Sequence, residues 1–270
     1  DIGDNWTRAN TIGLVPVIAV PTTAGTGSEL GRSSVITQEI EKRKVIVFHP
    51  RMMPDIVIMD PELTTGLPAH ITAATGMDAL SHALEALSAP SFHPMAEGIA
   101  LNALRLIHKW LPIATHDGGN LEARGQMLIA SGMGCVALQK GLGAIHALAH
   151  PLGALHDAHH GLLNAVLMPY VVEFNAPVIA DKLGLLARVI DLPRKDAQGV
   201  VDWIIELRRE QAAGERHPRR PGEAKTRRTE RDLDGRGRRR IADQAIAEFE
   251  RERIQGAALY DAEVPPAEPA

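Results

Sequence analysis

Apolar and polar positions give this chain two textures. Up to about residue 67 the apolar residues come in short runs, and beyond it they recur every three or four positions. Leu14-Val-Pro-Val-Ile-Ala-Val20 reads as a buried strand with a proline near its start. Ser33-Ser-Val-Ile-Thr37, Lys44-Val-Ile-Val-Phe48 and Ile56-Val-Ile-Met59 read as further strands, with a polar turn over 38–43. A loop of small and hydroxyl residues, Pro21-Thr-Thr-Ala-Gly-Thr-Gly-Ser-Glu29, follows the first strand.

From Pro68 the period is helical. The spacing predicts helices over 71–87, 94–111, 121–138, 145–155, 162–172, 182–190 and 197–209. Pro68, Pro90, Pro112, Pro151 and Pro169 read as punctuation between or at the ends of these segments. The pattern itself gives a strand-rich part over 1–67 and an all-helical domain over 68–205. A third stretch, 206–270, is rich in Arg, Gly and Pro and poor in apolar residues, so it is expected to be poorly ordered apart from a helix over 241–253.

Composition narrows the function classes. Hydrophobic residues are 45% of the 270 and aromatics only 3%, so the core must be built mainly of Ala, Leu, Ile and Val. A net charge of −4 argues against nucleic acid or an anionic membrane as partner. Cys135 is the single cysteine, which excludes a disulfide framework or thiolate cage within one chain and fits a reducing cytoplasm. No uninterrupted apolar run reaches membrane-spanning length. The start, Asp1-Ile-Gly-Asp, has no initiator Met and reads as that of a fragment.

The candidate chemistry lies in the histidines. Of 12, five fall within 15 residues: His146, His150, His156, His159 and His160. Asp78 and His82, four apart in a helical segment, share a face; His146 and His150 repeat that spacing, and His160 stands at a loop-to-helix junction. Histidines bonded singly to backbone are the alternative, but so many imidazoles on apolar faces would each need its own partner, and a shared divalent ion serves them all. One carboxylate with three imidazoles suits Fe(II), Zn(II), Co(II) or Ni(II) rather than Mg(II) or Ca(II).

These segments resemble the iron-containing (group III) alcohol dehydrogenases. Ala-Ala-Thr-Gly-Met-Asp78-Ala-Leu-Ser-His82 resembles the family's first metal motif, His146-Ala-Leu-Ala-His150-Pro-Leu-Gly its second, and His160-Gly161 its third. The loop over 21–29 is similar to its cofactor loop, and the similarity runs from about Val15 to about Trp203. The resemblance implies metal ligands Asp78, His82, His146 and His160, with His150 a catalytic residue beside nicotinamide and substrate. It implies cofactor contacts from Thr22, Thr23, Thr26, Lys44, Leu63 and Thr64. It further implies the fold class, α/β plus all-α, and the dehydroquinate-synthase-like fold of that family: residues 1–67 the later part of a dinucleotide-binding α/β domain, and 68–205 a helical metal-binding catalytic domain. The activity implied is hydride transfer between an alcohol and NAD or NADP, with Fe(II), or alternatively Zn(II), polarising the substrate oxygen. A cytoplasmic homodimer or higher homo-oligomer acting on a small alcohol or aldehyde is expected.

Two departures qualify the match. The family's glycine-rich pyrophosphate motif would lie before residue 1, so the chain reads as N-terminally truncated, and the similarity fades after about Glu206. Alternative readings are a catalytically incompetent fragment that keeps metal binding, or a related glycerol-dehydrogenase or dehydroquinate-synthase-like member.

Overall fold

A computed structural model describes residues 10, 13–38 and 43–213. The helix expected over 241–253 and the rest of the chain beyond 213 lie outside the described residues. Four short strands come first: β1 (Ile18–Ala19), β2 (Ser33–Gln38), β3 (Arg43–Phe48) and β4 (Ile56–Val57). β1 runs parallel to β4, with Ile18 opposite Ile56, and β2 and β3 form an antiparallel ribbon with Ser33 opposite Phe48. The strand expected over 14–20 is laddered only at 18–19, although Asp55 N also donates to Val17 O at 2.9 Å and Ile58 N to Ala19 O at 2.9 Å. It is not buried as its composition suggested: Val15 is 74% exposed and Ile18 60%, and Ile56 opposite it in β4 is 54% exposed. A parallel pair needs cover on both faces, and among the described residues these two strands pair only with each other.

The long helices begin immediately after Pro68: α1 (Ala69–Ser88), α2 (Pro94–His116), α3 (Leu121–Ala137), α4 (Ala144–His156), α5 (His160–Val189) and α6 (Ala197–Ala213). The order matches the helical periodicity, but four prolines do not stop their helices. Pro112 lies inside α2, Pro151 inside α4, and Pro169 and Pro177 inside α5. The segments read separately as 162–172 and 182–190 are therefore one helix, bent at Ile179 (φ −121°, ψ 16°), two residues past Pro177. α6 runs to Ala213, so residues 206–213, read as the start of the Arg-rich stretch, are helical.

α1 is the central helix. Every residue from 76 to 87 is buried, against α2, α3 and α5 in particular. Leu80, Leu84 and Leu87 supply the apolar packing, each 1% exposed or less. At roughly 2–5 kcal/mol per Leu→Ala in a core, this helix anchors the domain. Its C-terminal carbonyls are held by a buried lysine: Lys140 Nζ donates to Leu87 O at 3.3 Å and Ala89 O at 2.8 Å, and pairs with Glu97 Oε1 at 2.8 Å. Two histidines outside the cluster serve at helix ends. His93 Nδ1 accepts from Ala96 N at the start of α2, and His116 Nδ1 meets Pro112 O at its end.

α5 is long and apolar enough to cross a membrane by length and composition alone. Leu163, Leu167, Met168, Leu183 and Leu186 nonetheless face protein, so its apolar stripe has partners within the domain. Gly161 sets how closely α5 meets α1, because a Cβ there would fall 2.0 Å from Ala74 O.

Candidate metal centre and cofactor cleft

A helix buried all round should carry no polar side chains without partners, yet α1 carries Asp78, His82 and Glu85. They stand at i, i+4 and i+7, one stripe on one face. α4 adds His146 and His150, and α5 adds His160 and Asn164, each pair also four apart. Three helices thus aim polar stripes at one point.

Ligand-type atoms of Asp78, His82 and His146 all lie within 4.8 Å of one another, and the three residues are buried. His82 Nδ1 is 3.8 Å from Asp78 Oδ2, and His146 Nε2 is 3.8 Å from Asp78 Oδ1. His160 approaches from the more open side, Nε2 3.4 Å from Asp78 Oδ1, its side chain 29% exposed. The half-buried His150 sits against the same cluster, its ring centroid 5.9 Å from that of His146 and 5.2 Å from that of His160. His156 and His159 enter none of these contacts.

Two residues the sequence reading passed over complete the arrangement. Asn164 Nδ2 donates to Asp78 Oδ1 at 2.8 Å and lies 3.3 Å from His146 Nε2 and 3.2 Å from His160 Nε2. Glu85 accepts from His146 Nδ1 at 2.6 Å. Both were signalled by the same spacing as the histidines. Glu85 prolongs the Asp78/His82 stripe by one turn, and Asn164 stands four residues after His160.

Electrostatics follow from the geometry. Burial opposes the charge on Asp78, but the imidazoles of His82, His146 and His160 outweigh it and hold the carboxyl well below its usual range. Burial likewise opposes the charge on His146, but Asp78 and Glu85 overcome it and raise that imidazole to about 9. Burial pushes His82 down, against the pull of Asp78.

The donor set fits a divalent transition ion. One carboxylate and neutral-capable imidazoles converge in a buried setting. His82 Nδ1 and Asn164 Oδ1 are buried with no hydrogen-bond partner among the described residues. Such orphaned polar atoms beside a converging donor set suit a bound cation.

Beside this centre the loop over 21–29 lines a cleft of about 340 Å³, with Thr22, Thr23, Thr26 and Glu29 on its wall. That is near the lower end of ligand pockets, which span about 300–1,000 Å³. Gly27 lets the loop lie on α3: its φ is +65°, and a Cβ there would meet Ser131 O at 2.3 Å. Thr26 joins cleft to centre, its Oγ1 donating to Asp78 Oδ2 at 3.1 Å. The other expected cofactor contacts lie elsewhere. Thr64 is buried with its hydroxyl donating to Pro61 O at 2.8 Å, and Leu63 is 48% exposed; neither lines the cleft. Lys44 lies in β3 opposite Thr37, and its side chain is outside the described residues.

Comparison with known proteins points the same way. Residues 3–61 match the family described as iron-containing alcohol dehydrogenase, and residues 72–216 match the C-terminal part of the Fe-containing alcohol dehydrogenase family. The probable alcohol dehydrogenase EutG of Escherichia coli (strain K12) is 42% identical over 203 residues, 75% of this chain and 51% of that protein. The 4-hydroxybutyrate dehydrogenase of Cupriavidus necator is 46% identical over 204 residues, 71% of this chain and 53% of that one. The crystal structure of sulfoacetaldehyde reductase from Bifidobacterium kashiwanohense in complex with NAD+ superimposes with a TM-score of 0.68 at 35% identity, covering 73% of this chain and 52% of the other. The chain spans about half the length of the curated relatives it matches.

Proposed function

Because the chain belongs to the iron-containing alcohol dehydrogenase family, we propose that it interconverts an alcohol and its aldehyde or ketone with NAD or NADP as hydride partner. Asp78, His82, His146 and His160 would hold a divalent ion, Fe(II) or Zn(II). The observation that carries this reading is the buried convergence of Asp78, His82 and His146, joined through Thr26 to a hydroxyl-lined cleft.

A bound ion supplies Lewis acidity toward the substrate oxygen, and a bound nicotinamide supplies the hydride acceptor or donor. The chain's own residues do the rest. Thr22 and Thr23 offer small hydroxyl donors to phosphate or ribose oxygens, beside loop amides. Asp78 stays ionised among the imidazoles and so keeps the site anionic. His150, half-buried and one turn from His146, orients the substrate hydroxyl and takes its proton on a ring nitrogen. The packed faces of α1, α4 and α5 exclude water from one side of the centre. The relatives named for 4-hydroxybutyrate and for alcohols support a small hydroxyl substrate. Neither nucleic acid nor membrane has a place in this reading. A homo-oligomer in the cytoplasm does, the exposed Val15, Ile18 and Ile56 providing apolar surface to cover.

The test is a panel of small primary and secondary alcohols with NAD+ and NADP+, run on the chain loaded with Fe(II) or Zn(II). Metal-dependent nucleotide reduction is expected, and the His160→Ala variant should lose it while keeping its helical circular dichroism. Stoichiometric metal binding with no reduction of either nucleotide, or full turnover in His160→Ala, would overturn the assignment.

A further inference from the structure

Glu85 is a carboxylate only 5% exposed, on the central helix, with no lysine or arginine against it among the described residues. Among the described residues its side-chain hydrogen bonds go to the start of α4. Oε1 accepts from Ile145 N at 2.6 Å and from His146 N at 3.4 Å, while Oε2 accepts from His146 Nδ1 at 2.6 Å. α4 has no cap of its own, since Gly143 precedes it and offers no side chain. Glu85 therefore does from α1 what an N-cap residue does locally: it takes the amides of the second and third residues of the helix. Its other oxygen fixes the ring that this same helix presents.

The geometry points to Glu85 as the positioning residue of the centre: one carboxylate holds the start of α4 with Oε1 and, with Oε2, keeps the His146 ring hydrogen on Nδ1, leaving Nε2 as the donor that faces Asp78. This rests on the metal reading given above. The argument is one of hydrogen-bond complementarity. A neutral imidazole carries one N–H, and which nitrogen bears it is set by the partner of the other. Nε2 lies 3.8 Å from Asp78 Oδ1, on the side of the converging donors, so only the tautomer with hydrogen on Nδ1 leaves a lone pair there.

Glu85→Gln separates the two tasks. Glutamine has one acceptor oxygen where glutamate has two. Keeping that oxygen on the two backbone amides preserves the cap and turns the amide NH2 toward Nδ1. The ring must then accept at Nδ1 and carry its hydrogen on Nε2, where it blocks the donor. A cap that was merely structural would survive the change with no effect on the ring.

The experiment uses the full 270-residue chain, Zn(II) as probe, and imidazole ¹⁵N–¹H correlation spectra of His146. In the unaltered, Zn(II)-loaded protein His146 should show its hydrogen on Nδ1. In Glu85→Gln the neutral ring should carry its hydrogen on Nε2, with Zn(II) affinity lowered about 10- to 100-fold and the helical circular dichroism of the chain retained. If the variant does not fold, the spectrum of the unaltered protein decides: hydrogen on Nδ1 supports the assignment, and its absence from Nδ1 in the Zn(II)-loaded protein overturns it. Equal Zn(II) affinity in a folded variant, with the unaltered chain binding normally, overturns the Glu85 role alone. Failure of the unaltered chain to bind Zn(II) overturns the metal reading itself.

Discussion

Asp78 lies in the interior with one donor on each oxygen, Thr26 Oγ1 at 3.1 Å and Asn164 Nδ2 at 2.8 Å. Three imidazoles surround it, and the charge on His146 is favoured by Asp78 and Glu85 together. The consequence for stability has a definite sign. The folded value for His146, about 9, lies above the ordinary 6.5. The proton therefore stabilises the metal-free fold fully below about pH 6.5, and that contribution is lost as pH rises through 9. His82 acts oppositely: its folded value is depressed, so it removes stability as pH falls below 6.5. Denaturant titrations in a chelator should show the metal-free chain losing up to a few kcal/mol between pH 6.5 and 9.5. Added Zn(II) should bind more tightly over the same interval, because the ligand's proton no longer competes. A midpoint that rises steadily across that window in chelator would contradict the charged contact between His146 and its two carboxylates.

At the scale of elements, the helices were legible and their ends were not. Apolar residues at three- and four-residue spacing located all six helices of the described residues, because burying such a stripe is what makes a helix stable in a protein. Prolines misled. Pro169 sits buried within α5, and the bend comes at Ile179. A proline removes one backbone bond and crowds the preceding turn, but packing against α1 and α6 can keep the helix going. The strands were harder to read, since Leu14–Val20 has the composition of a buried strand while its cover depends on what lies across from it. Among site residues, Asp78, His82, His146 and His160 stood out as polar groups in apolar helices. Glu85 and Asn164 did not, because their value lies in partners 61 and 86 residues away. The close meeting of α1 and α5 carries a prediction of its own. Gly161→Ala places a methyl 2.0 Å from Ala74 O, which is backbone and cannot swing aside. The N-terminus of α5 must shift, taking His160 and Asn164 with it, at a cost of about 1–3 kcal/mol or more. A lowered melting temperature with weakened Zn(II) binding is expected, and a variant matching the parent in both would show that α5 has slack at this crossing.

Across the whole molecule, a hydroxyl-lined cleft and a buried donor cluster are linked by one side chain, Thr26, which lines the first and bonds to the second. The domain that supports them is held by α1, whose buried length carries both the leucines of the core and the polar stripe of the site. That economy places Asp78 and His82 on the most buried helix of the fold. Membership in the iron-containing alcohol dehydrogenase family gives the cluster its chemical meaning. The most direct measurement is a Zn(II) titration of the 270-residue chain beside its Asp78→Asn variant, with circular dichroism to verify that both are folded. The account predicts one ion per chain for the unaltered protein and a loss of that binding in the variant. An absence of stoichiometric binding in the unaltered chain, or equal binding by both, would contradict it.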